Sequence, residues 1–378
     1  MGKRVLPLVY LVFIILMTPP SFAAVFQTAD MAGNWYIYSV EVDMGIQAIY
    51  WVRGNFVVDA AGNITAGTYY FPDGSAVALS SGQIELNSQG IISGGFTAEG
   101  STGTIVHGKL DQGKTMGTAV LMGSDQTIDI LTFIKGGGTF VTSDLMGTWY
   151  NYLTIIDPST GAVFWLYGTY TTDASGRITA GSQTGPDGTT VLIDSGTLSV
   201  NSSGIVTGNI NLSNGQKFSI AHSKMDQGKT RAVGVSIEPN GGMAVAYMVK
   251  GGGTFEPTDI GSRSYAYGFL IDPSIPAAYW VYGNIRISNS GSYEGSYRAP
   301  TGATGTGAGT VTMDALGVIT GTATFDTGDT GPVYFKEDQG KTFRVGVSVT
   351  TSGKMGIWQF YEASSISLPA LPMLLLDD

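Results

Sequence analysis

Hydrophobic and polar positions alternate with period two through most of this chain. Val233, Val235 and Ile237 fall on one face of a segment whose other face carries Ala232, Gly234 and Ser236, and Val345, Val347 and Val349 repeat the pattern later. Such alternation, with small or polar residues opposite, predicts strands with one buried face. No amphipathic segment reaches helix length. Turns punctuate the strands at short intervals. Asp59-Ala-Ala-Gly62, Asn87-Ser-Gln-Gly90, Asp173-Ala-Ser-Gly176 and Asn201-Ser-Ser-Gly204 place Asp or Asn first and Gly fourth. That order suits a type I turn followed by a residue of positive φ. Pro72-Asp-Gly74 and Pro186-Asp-Gly188 mark turns of another kind.

The strands and turns recur as a unit. Asp30-Met-Ala-Gly-Asn-Trp35-Tyr36 returns as Asp144-Leu-Met-Gly-Thr-Trp149-Tyr150 and, in worn form, as Asp259-Ile-Gly-Ser-Arg-Ser-Tyr265. Tyr50-Trp51 returns as Phe164-Trp165 and Tyr279-Trp280. Asp111-Gln-Gly-Lys-Thr115 returns unchanged at Asp226 and Asp338, offsets of 115 and 112. Several motifs in one order at one period define three tandem repeats, over 28–141, 142–256 and 257–362. They follow a segment 1–24 and precede a tail 363–378. Unit one predicts eight strands, near 34–42, 48–58, 63–71, 76–86, 90–98, 102–110, 114–123 and 127–135. The connections are short, so each strand pairs antiparallel with the next. The expected fold is all-β: three tandem up-and-down barrels of about eight strands, which leave no exposed edge.

The first strand of each unit also carries a resemblance. Gly147-Thr-Trp149-Tyr150-Asn151, opening an eight-strand meander, resembles the first strand of avidin and streptavidin, and Gly33-Asn-Trp35 is similar to the lipocalin element. This calycin-like resemblance implies small ligand-binding barrels. It covers one strand per unit, and unit three departs from it, with Ser262 and Arg263 after Gly261 and no Trp. No ligand residue of those families carries over beyond that strand, so biotin binding is not implied. The whole array resembles uncharacterised repeat proteins exported by environmental bacteria.

Residues 1–24 read as a signal peptide: Lys3 and Arg4, the apolar run Val5 to Met17, then Ser21-Phe22-Ala23 before cleavage. The apolar run is short of the ~20 residues that span a bilayer. The expectation is export to the periplasm, cell surface or extracellular space. With no Cys, the chain has no disulfide, thiolate metal site or Cys nucleophile. The net charge of −10 becomes −12 without Lys3 and Arg4, which disfavours nucleic acid as a partner.

Candidate chemistry divides along the same repeats. Gly108-Lys-Leu-Asp-Gln-Gly113-Lys114-Thr115 has phosphate-loop spacing, but Ser223 and Phe335 replace Gly108 in the other copies, and no helix follows. Asp59, Asp111 and Asp173 each offer one carboxylate where Ca²⁺ wants six to eight oxygens, so turn capping is the favoured role. Lys109, Lys224 and Lys336 read as solvated strand ends or as a ligand-facing rim. His107 and His222 occupy one position in two copies, with Tyr334 in the third, and a structural role is favoured over catalysis or ligation. The aromatics Trp35, Trp51, Trp149, Trp165 and Trp280 read first as core or inter-unit packing. With His107 and His222 they also form the candidate ligand-binding set. No catalytic, metal or cofactor site is expected. The leading functional expectation is a non-enzymatic structural or interaction module contacting cell-surface or extracellular matrix components. A barrel that holds a small apolar molecule or glycan is the alternative, and a single outer-membrane barrel of all 24 strands is a further one.

Overall fold

A computed structural model describes residues 25–272 and 277–363; the predicted signal peptide and the tail from residue 364 lie outside the described residues. The first barrel is built from β1 (Gly33–Asp43), β2 (Ala48–Val58), β3 (Ile64–Tyr70), β4 (Ala76–Leu86), β5 (Ile91–Ala98), β6 (Ser101–Leu110), β7 (Met116–Gly123) and β8 (Thr127–Lys135). Each strand pairs antiparallel with the next, and β1 also pairs with β8 to close the barrel. Two further eight-strand barrels follow, running from Gly147–Asp157 to Met243–Lys250 and from Ser262–Asp272 to Met355–Glu362. The 24 strands therefore close as three calycin-like barrels, not as one large one. A single 3-10 turn precedes each barrel, at Thr28–Met31, Thr142–Leu145 and Pro257–Ile260. No helix among the described residues is long and apolar enough to cross a membrane.

The alternation on β1 sorts side chains into two cores. Trp35 and Ile37 point into the first barrel and join its internal cluster with Phe56, Ile84, Leu110 and Phe133. Tyr38, Val40 and Val42 point outward, yet they are equally buried, because they belong to one cluster with Val233, Val235 and Tyr247 of the second barrel and Tyr267, Val345 and Val347 of the third. The expectation of one buried face needs correction at this point. In the last hairpin of the second barrel, Ala232 lies in the internal cluster, while Val233 and Val235 lie in the shared one. Both faces are covered because barrels pack against barrels, and the small inward residues Ala232 and Gly234 leave room for opposing side chains.

The inter-barrel contacts form a cycle. The first hairpin of the first barrel packs on the last hairpin of the second. The first hairpin of the second packs on the last hairpin of the third, and that of the third packs on β7 and β8. Trp165 Nε1 donates to the Ser348 carbonyl at 2.9 Å, and Trp280 Nε1 to the Leu121 carbonyl at 3.0 Å, which are equivalent contacts across two of the three seams. Burying one such indole removes roughly 150–250 Å² from water, about 4–6 kcal/mol before ordering costs.

The most repeated motif fastens this cycle. Asp111 Oδ1 accepts the backbone N–H groups of Thr115 and Met116 at 2.8 and 3.0 Å, and Asp226 and Asp338 repeat the cap. The residue with positive φ is not Gly but Lys: Lys114, Lys229 and Lys341 sit at 56°, 58° and 56°. Each is tied there by an ion pair to the Asp of the preceding 3-10 turn, Asp30, Asp144 and Asp259, at 2.7, 2.8 and 2.7 Å. The Gln reaches the neighbouring unit. Gln227 Nε2 donates to the Gly136 carbonyl, Gln339 Nε2 to the Gly251 carbonyl, and Gln112 Nε2 to Glu362 at the end of the third barrel.

Three of these turns converge on one cation. Arg231 Nη2 donates to Asp111 at 2.8 Å and Nε to Asp226 at 3.0 Å, while Nη1 lies 3.9 Å from Asp338. The equivalent positions hold Met116 and Phe343, so one guanidinium serves all three barrels. Burial works against its charge, but the three carboxylates outweigh burial and raise its pKa.

Candidate binding cavities

The seven residues singled out from the sequence all occupy packed positions. Trp35 and Trp149 stand inside their barrels and donate Nε1 to the Met31 and Leu145 carbonyls at 2.6 and 2.7 Å, closing the barrel ends. Trp51, Trp165 and Trp280 lie in the shared core. His222 Nδ1 pairs with the Tyr38 hydroxyl at 2.8 Å across the seam between the first and second barrels. His107 Nδ1 pairs with the Tyr267 hydroxyl at 2.8 Å across the seam between the first and third, and its ring stacks on Tyr282 at 4.6 Å. Tyr334, the third member of this position, stacks on Tyr167 of the second barrel at 4.9 Å. Burial lowers both His pKa values to about 4, with Lys109 adding to the effect on His107 and Arg53 and Lys224 on His222. The structure brings these residues to seams and barrel ends, and none of them lines the four cavities described among the barrels.

Lys109, Lys224 and Lys336 depart from both readings of the sequence. They are fully buried. Each Nζ donates to the carbonyl of the next residue, Leu110, Met225 or Glu337. Each also lies 4.5–4.6 Å from the ring of Phe26, Phe140 or Phe255, which covers the barrel end. Burial lowers their pKa to about 8. They are neither solvated nor on a rim because the chain ahead of each barrel folds its Phe back over them.

The residues that sequence reasoning missed are Ser39, Glu41 and Asp129. They line a cavity of about 180 Å³ in the first barrel, at the end opposite Trp35. Glu41 and Asp129 face each other directly across β1 and β8. Tyr50 donates to Glu41 Oε1 and Ser39 to Asp129 Oδ1, each at 2.6 Å. Desolvation raises the pKa of both carboxyls; the Tyr50 bond partly offsets this at Glu41, and the facing Glu41 charge adds to it at Asp129. Asp125 and Glu99 lie nearer the mouth, and Tyr69, Phe71 and Phe96 form apolar walls. The lining holds four carboxylates and no Lys, Arg or His. The corresponding cross-strand pairs are Ile155 with Ala244 and Leu270 with Gly356. The signal was readable: Ser39 and Glu41 share the inward parity of Trp35 and Ile37, where the second unit has Leu153 and Ile155.

The third barrel has an apolar cavity of about 80 Å³, walled by Tyr293, Tyr297, Phe325, Phe335 and Trp358. It lacks the first-strand Trp, and Ser264 stands in that register. Arg344 occupies this end, donating to Glu337 and, at 2.7 Å, to Ser262. Burial pushes the Glu337 carboxyl up to about 7, although the Arg344 charge opposes it. The second barrel holds a smaller cavity, of about 30 Å³.

No protein-family model matches the chain, and no curated protein matches it. Among solved structures, it is similar to the isotype 1 transferrin binding protein B from serogroup B Neisseria meningitidis, at 11% identity and a TM-score of 0.30 over 87% of this chain and 76% of that one. It is also similar to a mutant of the transferrin binding protein B of Haemophilus parasuis, at 9% identity and a TM-score of 0.29, covering 88% and 76%. A protein of unknown function from Nostoc punctiforme matches at 9% identity and a TM-score of 0.21, covering 59% and 97%.

Proposed function

We propose that this chain is an exported, non-enzymatic interaction module of the cell surface or extracellular space, working as one rigid three-barrel body. The observation that supports this reading is the shared core, in which the outward faces of the first and last hairpins of all three barrels are spent on one another. What remains for partners is the outer wall, the turns and the barrel mouths, held in fixed relative positions. Repetition without flexible linkers suits multivalent contact at a fixed spacing. Neither His sits beside a carboxylate that would orient it as a general base; each is held by a Tyr hydroxyl instead. The test is binding of the fluorescently labelled chain, without residues 1–24, to intact cells of the source organism and to their purified envelope polysaccharide. Saturable binding to either supports the reading. Absence of binding to both, together with turnover of ester or glycoside substrates, overturns it.

The acidic cavity of the first barrel favours a second reading, in which that barrel holds a small ligand. Four carboxylates, aromatic walls and no basic residue suit a small organic ammonium ion. Isothermal titration with an alkylammonium series is the measurement. The reading expects binding that weakens as pH falls, since the raised carboxyls take up protons, and that is lost in Glu41→Gln. Equal heats for the parent and the Glu41→Gln chain would refute it.

A further inference from the structure

Three side chains in the centre of the second barrel are buried with polar atoms that have no partner: Asn151 Oδ1, Gln183 Oε1 and Ser236 Oγ. Their residues are only 3%, 4% and 4% exposed. All three line the same cavity of about 30 Å³. The other hydroxyls in its wall are already engaged, Ser223 with the Val233 carbonyl at 3.0 Å and Tyr170 with Met248 Sδ at 3.2 Å. The fold does not demand polar groups here, because the first barrel places Ile37, Tyr69 and Leu121 at the same register positions. In the third barrel the corresponding Ser348 hydroxyl is satisfied by Trp358 Nε1 at 2.9 Å. The second barrel thus combines an unpaired polar cluster with a space of defined size.

We propose that this cluster is a binding site for one or two internal water molecules, held on Asn151, Gln183 and Ser236 as a fixed part of the second barrel. A water needs about 10–15 Å³ of such space and two to four polar partners, so the cavity admits about two at most. Two amide oxygens accept, and the Ser hydroxyl both donates and accepts. One water donating to Asn151 and Gln183 and accepting from Ser236 pairs all three. Water also fits either orientation of the two amides, since it can donate or accept. An apolar occupant would leave every one of these groups unpaired, and the space excludes larger polar molecules.

The test is magnetic relaxation dispersion of water oxygen-17 on the whole chain and on Asn151→Leu/Gln183→Met/Ser236→Ala, with a high-resolution crystal structure of the parent. The expected result is one or two long-lived waters fewer in the variant, and density bonded to the three side chains. Should the triple variant fail to fold, Ser236→Leu, which takes the first barrel's residue, reads the same loss. An unchanged dispersion, or a crystal structure in which the three groups pair with one another around a dry cavity, overturns the proposal.

Discussion

Replacing Arg231 with Met removes the guanidinium that pairs with Asp111 and Asp226 where the three Asp-Gln-Gly-Lys-Thr turns meet. The change tests whether the barrels share their stability. Met already occupies the corresponding position, Met116, in the first barrel, so the side chain fits the local backbone. Asp111 and Asp226 are each 1% exposed and lose their charge partner. Breaking a buried pair by removing one partner costs about 3–5 kcal/mol. Unfolding entropy is about 2.1 cal/mol/K per residue. A body of all three barrels, unfolding as one, then loses roughly 4–7 °C in its single transition. A second barrel that unfolded alone would lose about 12–20 °C, because the same cost is spread over about a third of the entropy. Differential scanning calorimetry separates these outcomes by both the number of transitions and the shift. One transition lowered by the smaller amount is the expected outcome. An unshifted transition would refute the reasoning about the buried charge, and one barrel melting early would refute the shared core. Arg231→Lys keeps a charge but loses the three-way fork, and falls between parent and Met.

Further consequences follow from the seams and barrel ends. His107 and His222 are neutral in the folded chain because their pKa values are lowered to about 4. Their contribution is fully present above the unfolded value near 6.5 and is lost as pH falls from there toward 4. The chain carrying His107→Tyr and His222→Tyr, the residue at Tyr334, lacks that loss. Denaturant titrations of both chains from pH 7 to 4 should therefore diverge, with the parent losing stability relative to the variant; parallel curves would contradict the seam placement. Lys109→Met removes a buried ammonium over Phe26 while keeping the apolar stem, so the unfolding free energy from urea titration at pH 7 changes by no more than about 1 kcal/mol. Lys109→Glu sets a carboxylate against the same ring and carbonyl and prevents the first barrel from closing, read as loss of near-ultraviolet circular dichroism.

Much of this fold was legible because repetition and period two are properties of the chain itself. The eight strands expected in the first unit match the observed ones to within two residues at each end. The Asp-Gln-Gly-Lys-Thr turn read correctly as an element that sets the fold, with Asp capping its own backbone. Its reach into the next barrel through Gln112, Gln227 and Gln339 did not show, since a sequence offers no sign of which distant carbonyl a side chain will find. The same applies to Val233 and Val235, whose outward face looks like a barrel interior by hydrophobicity alone. The buried lysines were misread for a related reason: Phe26, Phe140 and Phe255 lie more than 80 residues away from them in sequence and return only when the barrel end closes. The acidic cavity could have been found by asking which inward positions differ in polarity between repeats, and Glu41 against Ile155 is the clearest such difference.

The three barrels close on one another as a single body. Small-angle X-ray scattering of the chain without residues 1–24 tests it directly. A compact body of this length has a radius of gyration of about 20 Å, whereas three barrels strung in a line would give about 28 Å. The cyclic packing predicts the smaller value, unchanged with salt. The larger value, or one that grows with salt, would contradict it.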